Sequence, residues 1–441
     1  MTTLTSRPAI FLTLLTLFTL LTLFCCTTAM AAENTPPQRN VTEKLLVQID
    51  FSRLIPELFV VSPDSQHVAY GARAEQKQVV IVDGQAGKPY QAILGGTLRF
   101  SSDSKRLAYG VQQDRQNFLV VDGKAYKSYA ALGARALQFS PDSQRVAYVV
   151  VTESRMRVVI NDTEQPPYTA IVAESLTFSP NGRRLAYGAA VGTQTSVIVD
   201  GKEGPRYDAL VPDSVRFSPD SQRVAYGVRQ GKQWSVLLDG QPGQPYDGIS
   251  ASSLVFSPNG QRLAYVVLVG KQQVVVVDGQ ASKPYKGITA GSLVFSADSQ
   301  HVAYAANDER KNTWFVVLDS KADKPYAAWV TGPIFSPDSQ RLAYAAAVDQ
   351  VKQVVVVDGR ESKAYSGIKV GMLAFSPDSR HLAYGAQGDK GWVVVLDGQE
   401  GKPYENLLIL GGGTIVFDAP DRFHYLATRD QDIYVVQEQL K

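Results

Sequence analysis

The chain has 441 residues, two cysteines, and 44 Lys and Arg against 42 Asp and Glu, a net charge of +2. A near-neutral balance with the signs interspersed argues against a nucleic-acid partner. Both cysteines, Cys25 and Cys26, lie within the first 31 residues, so disulfides are not what holds the remainder together.

Residues 1–31 carry a single charge, Arg7, followed by the apolar run "AIFLTLLTLFTLLTLFCC" and by "AMA" at 29–31. A basic start, an apolar core and a small-x-small site predict a secretory signal peptide cleaved after Ala31, and hence a periplasmic or secreted chain. The run is long enough for a competing reading, an uncleaved N-terminal membrane anchor. Lipidation at Cys26 is a third reading: Leu23 sits three residues ahead, but Phe24 and Cys25 are poor neighbours for it. Removing Arg7 leaves a net charge of +1. Residues 32–43, polar and proline-containing, read as a flexible lead-in. Residues 44–56 hold the strand-like run "KLLVQID", Lys44 to Asp50, which belongs to none of the repeats that follow.

From residue 57 onward one phrase recurs. "FSPDSQRVAYGV" at Phe217 nearly copies "FSPDSQRVAYVV" at Phe139. The opening positions are Val61, Phe100, Phe139, Phe178, Phe217, Phe256, Phe295, Phe335, Phe375 and Phe417, spaced 39 residues six times and then 40, 40 and 42. A fixed period in this range marks a repeat architecture. Residues 252–290 show its content: "SLVFS", a "PNG" turn, "RLAYVV", then "QVVVVDG" and "KPYKGI". Short valine- and tyrosine-rich runs bounded by turn residues predict four strands per repeat, with Asp-Gly closing a tight hairpin. The unbroken "VVVV" predicts a strand buried on both faces. Proline precedes tyrosine in six of nine copies of the fourth run, at Pro89, Pro167, Pro245, Pro284, Pro325 and Pro403, which places that run at an outer edge. Four antiparallel strands per unit, stacked around an axis, describe the blades of an all-β propeller.

The phrase resembles the repeat of TolB-type and related WD-like propellers, whose blades carry F-S-P-D-G-x-R-[LV]-A-Y. Asn181-Gly182 and Asn259-Gly260 match its turn closely, while most other copies put serine where that family often has glycine. The Trp-Asp pair of true WD repeats is absent, so only the architecture carries over from them. The resemblance spans about nine-tenths of the chain and implies fold more strongly than function.

The tenth copy ends without a fourth strand, so "KLLVQID" is predicted to complete the last blade and join the two ends of the chain. One closed ring of ten blades is the reading adopted, with two smaller propellers as the alternative.

The repeated residues read as scaffold. Asp64, Asp142, Asp220, Asp338 and Asp378 serve their own turns. The Ala-Tyr tyrosines, such as Tyr148 and Tyr226, pack between blades with satisfied hydroxyls. The Pro-Tyr tyrosines, such as Tyr246 and Tyr285, anchor the outer strand. Asn161-Asp162 and Asp319-Ser320 depart from Asp-Gly and predict looser turns. Function is sought where the copies differ, in the second-to-third and fourth-to-first connections, which open on one face. The residue five before each hairpin aspartate or its equivalent reads Gln78, Asn117, Arg157, Thr195, Trp234, Gln273, Trp314, Gln353 and Trp392. Trp329 falls in a fourth-to-first connection on the same face. Trp and Arg anchor interfaces, so Trp234, Trp314, Trp392, Trp329, Arg157, Gln78, Gln273 and Gln353 are the candidate binding residues. The competing reading is that the tryptophans cover strand ends.

No catalytic constellation is evident. His67, His301 and His381 fall at or next to the arginine position of the phrase, and with His424 they lie in separate blades without metal-ligand spacing. No cysteine remains outside the leader, no Gly-x-Ser-x-Gly elbow appears, and "GGGT" at 411–414 lacks the lysine of a phosphate loop. No cofactor or metal is expected. The reading is an exported, non-catalytic propeller scaffold that binds a protein, peptide or glycan of the cell envelope, with membrane contact only through the leader or lipidation. The alternative is an enzyme, a lyase or hydrolase, with a site assembled in the central channel.

Overall fold

The computed structural model describes residues 39–133, 136–172, 174–308 and 313–441. The leader, with its cleavage and anchoring alternatives, lies outside the described residues. The rest forms ten antiparallel sheets arranged as the blades of one closed propeller ring, almost without helix. The pattern of the second and third runs dictates this. In the sixth blade Leu263–Val269 and Gln272–Val277 pair residue for residue, and their centres are buried on both faces because neighbouring blades cover them. Alternate side chains of one strand feed two different inter-blade cores: Val267 and Val276 pack on one side, Val266 and Val275 on the other.

The first and fourth strands depart from the sequence reading. "KPYKGI" is not one strand. Tyr285 bridges to Gln273 in the third strand of blade six, whereas Gly287–Ile288 already belongs to blade seven and pairs with its second strand. The innermost strand of most blades is therefore in two pieces, such as Gly248–Ile249 and Val255–Phe256, both paired with Leu263–Val269. The residues between the pieces bulge away from the second strand. A buried hydroxyl repairs the gap in the ladder: Ser253 Oγ accepts Val266 N–H at 3.1 Å and donates to the Ser250 carbonyl at 2.7 Å. Thr97, Ser175, Ser214 and Ser292 do the same in their blades.

The repeated phrase is a joint between blades. Arg106 donates to Asp122 of its own hairpin at 2.8 Å and to the Ser143 carbonyl of the next blade at 2.8 Å, and its guanidinium lies 5.3 Å over the next blade's Phe139 ring. Arg184, Arg262 and Arg341 repeat the arrangement. The serine that stands for glycine also bonds across the joint. Ser143 Oγ accepts the Asp103 N–H of the preceding blade at 3.1 Å. That bond offsets a left-handed backbone, φ 59° at Ser143, which costs an L-residue about 1–2 kcal/mol. Each Ser-Pro-Asp carboxylate serves its own turn as expected, Asp142 accepting from Gln144 N–H at 3.1 Å. Asn161-Asp162 and Asp319-Ser320 are not looser turns. Val146 N–H donates to Asn161 Oδ1 at 3.0 Å and Val302 N–H to Asp319 Oδ1 at 2.9 Å, the geometry of the Asp-Gly hairpins.

Tyrosines line the same borders. Nine edge-on pairs, from Tyr90–Tyr109 to Tyr404–Tyr425, join the Pro-Tyr position of one blade to the Ala-Tyr position of the next. Their hydroxyls are not uniformly satisfied. Tyr344 donates to Asp323 at 2.8 Å, whereas the Tyr148 and Tyr187 hydroxyls are buried with no hydrogen-bond partner.

The ring closes where the unpaired run predicted it. Arg39–Gln48, starting ahead of Lys44, forms the outer strand of the tenth blade against Asp432–Leu440. Arg39 Nη1 meets Glu438 Oε2 at 2.9 Å with both side chains buried, and Tyr425 OH donates to the other Glu438 oxygen at 2.7 Å. Val47 and Ile49 join Phe59, Tyr70 and Leu426 in the core between blades ten and one. His424 Nε2 lies 2.6 Å from the Asp64 carbonyl across that border. Gly411, φ 72°, permits the approach, since a Cβ there would lie 2.8 Å from Val60 Cα. "GGGT" is thus part of the closure.

Candidate binding face

The ring has two unlike faces. One holds the Ser-Pro-Asp turns and Asp-Gly hairpins with their Arg–Asp pairs. The other holds the second-to-third hairpins and the fourth-to-first connections, and these cap one another. Asp208 Oδ2 accepts Gly231 N–H at 2.7 Å, Asp247 Oδ2 accepts Gly270 N–H at 2.7 Å, and Glu405 Oε2 accepts Asp430 N–H at 2.7 Å. The two variable connections of each blade therefore share one face.

The candidates at the hairpin-minus-five position are largely latches. Gln78, Gln273 and Gln353 are half-buried, and their side-chain carbonyls accept the N–H of Ile93, Ile288 and Ile368 at 2.7, 2.5 and 2.7 Å. Each ties a third strand to the first strand of the next blade. Asn117 binds the Ala130 carbonyl at 2.8 Å. Arg157 is out of register. Asn161 holds the hairpin position, so the equivalent residue is Met156, which bridges Tyr168 and whose sulfur receives Ile171 N–H at 3.4 Å. Arg157 points the other way, toward Thr152 Oγ1 at 3.1 Å and Glu164 at 3.5 Å.

The tryptophans are half-buried and partly packed. Trp234 borders the core between blades five and six under Arg229, 5.6 Å from its ring. Trp314 borders the core between blades seven and eight, and Trp329 the core between blades eight and nine. Trp392 lies under Lys369, whose Nζ is 4.0 Å from the ring and 2.6 Å from Asn406 Oδ1. Burial holds the Lys369 ammonium below its usual pKa.

Sequence reasoning missed where apolar surface is left open. Val351 (68 % exposed), Phe51 (56 %), Val348 and Val269 stand on the variable connections. Val370 (54 %), Ile409 and Leu410 stand on the inner-strand bulges of blades nine and ten. Val41 and Leu45 lie on the closing strand. Among the described residues, no exposed large hydrophobic side chain lies in a Ser-Pro-Asp turn or an Asp-Gly hairpin. The bulges also shape a cavity of about 520 Å3 along blades five to seven, lined by Phe217, Leu254, Phe256, Ile288 and Leu293 with Arg216 and the Ser250–Ser253 tip. Exposed residues inside a split inner strand carry no period of their own, which is why the sequence hid them.

The titratable groups are tied to the scaffold. His67, His301 and His381 replace the joint arginine, each Nδ1 2.5–2.7 Å from its hairpin aspartate. Hydrogen bonds from their own turns lower the carboxyl pKa of Asp103, Asp142 and Asp220. Burial raises the paired tyrosines, Tyr109 to about 12. Among the described residues no three His, Cys, Asp or Glu side chains gather as metal ligands, and no helix is long and apolar enough to cross a membrane.

No protein-family model matches the chain, and no curated protein is similar to it in sequence. Solved structures are similar over parts of the chain. A eukaryotic initiation factor is similar at 14 % identity over 72 % of this chain and 89 % of its own, with a TM-score of 0.44. TolB from Acinetobacter baumannii is similar at 16 % identity over 50 % of this chain and 64 % of its own, TM-score 0.29. Hydrazine synthase of Kuenenia stuttgartiensis is similar at 11 % identity over 59 % of this chain and 94 % of its own, TM-score 0.31.

Proposed function

We propose that the chain is an exported, non-catalytic propeller scaffold that binds a protein or peptide of the cell envelope on its variable face. The observation that carries the reading is the asymmetry of the two faces. The repeated face spends its side chains on joints between blades. The variable face leaves Phe51 and Val351 exposed and the inner-strand bulges leave Val370 and Leu410 exposed, and protruding apolar groups of this kind mark an interaction surface. Trp314, Trp329 and Trp392 fall in the same sector, along blades seven to nine, and their exposed edges extend it. Export rests on Arg7, the apolar run and Ala29–Ala31.

The test is capture from the native cell envelope, with a Phe51→Ser/Val351→Ser/Leu410→Ser variant beside the parent chain. These side chains are exposed, so the variant should melt like the parent and lose the partner. Equal capture by both would move the site off this face. A partner that proves to be a glycan would keep the face and change the ligand class.

A further inference from the structure

The closing strand differs from every other outer strand. The other outer strands are two residues long, such as Gln280–Ala281, or six, such as Gln241–Tyr246, and the six-residue ones carry a register shift. Arg39–Gln48 is ten residues long, contains no proline, and keeps unbroken register with its neighbour from Arg39 to Leu45. Among the described residues it pairs on one side only, so its outer edge presents alternate N–H and C=O groups to an added strand.

The side chains on that edge are self-complementary. Val41, Glu43 and Leu45 share one face by the two-residue period. Val41 and Leu45 are 36 % and 52 % exposed. Glu43 between them is already paired, with Lys402 Nζ at 2.7 Å and Arg429 Nη2 at 3.5 Å, and accepts from Tyr404 OH at 2.5 Å. A two-fold axis through Glu43, perpendicular to the sheet, sets Val41 opposite Leu45 of the second copy and Thr42 opposite Lys44. Both members of each pair lie on the same face, and the two Glu43 groups meet as neutralised ion pairs. We propose that this edge joins two copies of the chain, antiparallel, in a register centred on Glu43. Such a contact is isologous and closes as a dimer, and it leaves the variable face free.

The test is sedimentation equilibrium of the protein purified from cells expressing the full sequence. The parent should show a concentration-dependent dimer. Val41→Lys and Leu45→Glu, each checked for an unchanged melt, should each weaken dimerisation roughly tenfold or more, since each spoils two cross-strand apolar pairs. An equimolar mixture of the two should recover association, because the introduced lysine of one copy then faces the introduced glutamate of the other across the edge. A parent that stays monomeric throughout overturns the proposal. So does a dimer indifferent to both substitutions, or a mixture no better than its components, which would rule out this register.

Discussion

Arg39→Ala removes one half of the buried pair that ties the first described strand to the last. Glu438 is fully buried, and its two oxygens are engaged by Arg39 at 2.9 Å and Tyr425 OH at 2.7 Å. Arg39 also donates to the Gln399 carbonyl of blade nine at 2.6 Å. Gly401 leaves the room for this, because a Cβ there would lie 3.2 Å from both Arg39 Nη1 and Glu438 Oε1. Taking away one partner of a buried ion pair costs about 3–5 kcal/mol. A chain of about 400 ordered residues unfolds with an entropy of roughly 0.8 kcal/mol/K at the average per-residue value, so Tm should fall by roughly 4–6 °C. Differential scanning calorimetry reads this directly. The Arg39→Met/Glu438→Gln double variant keeps an acceptor for Tyr425 and leaves no unpaired charge, so it should recover most of the loss. An Arg39→Ala melt within a degree of the parent, or a double variant no better than the single one, would refute the view that this pair fastens the ring.

Gln273→Ala unlatches Ile288 N–H and should cost about 1–3 kcal/mol by chemical denaturation, with binding at the variable face unchanged; a loss of binding at full stability would make Gln273 a contact residue instead. Ser253→Ala orphans the Val266 N–H, so that amide should exchange faster by hydrogen-exchange mass spectrometry while the bulges of other blades stay protected. Acid should destabilise the ring. The Ser-Pro-Asp carboxylates have lowered pKa values in the folded state, so the unfolded chain takes up protons first. Their contribution is present above a pH of about 4 and is lost as pH falls through the folded values. Asp142→Asn, which copies Asn181 and Asn259, should flatten that dependence. Alkali acts with the opposite sign: the paired tyrosines are raised, Tyr109 to about 12, so their contribution is present below a pH of about 10 and fades above it. Tyrosinate absorbance should then rise together with unfolding.

The propeller could be read from the chain because each blade repeats one solution. A 39-residue step, Asp-Gly hairpins and "VVVV" runs are local signals, and the strand left over at Lys44 pointed to the closing blade. The interior of the blade was less legible. "KPYKGI" looks continuous, yet a covalent neighbour, Lys286, separates residues that pair in two different blades. The hydroxyl three before the phenylalanine, at Thr97, Ser175, Ser214, Ser253 and Ser292, carried the signal for the split inner strand, but its role is visible only once Val266 N–H is seen to lack a backbone acceptor. Arg157 was misplaced by one because Asn161, not Asp162, accepts the Val146 N–H. At the candidate site, the glutamines recur for the same reason the aspartates do, whereas the open apolar groups sit on variable connections and bulges where side chains differ from blade to blade. The Arg39–Glu438 pair lies almost a chain length apart in sequence, beyond any spacing argument.

Binding through the variable face is tested most directly by site-specific photo-crosslinking in the native envelope, with the probe placed in turn at Val351 on the variable face and at Gln222 in a Ser-Pro-Asp turn. A scaffold of this kind should give a discrete protein adduct from position 351 and none from position 222. An adduct confined to position 222 would contradict it.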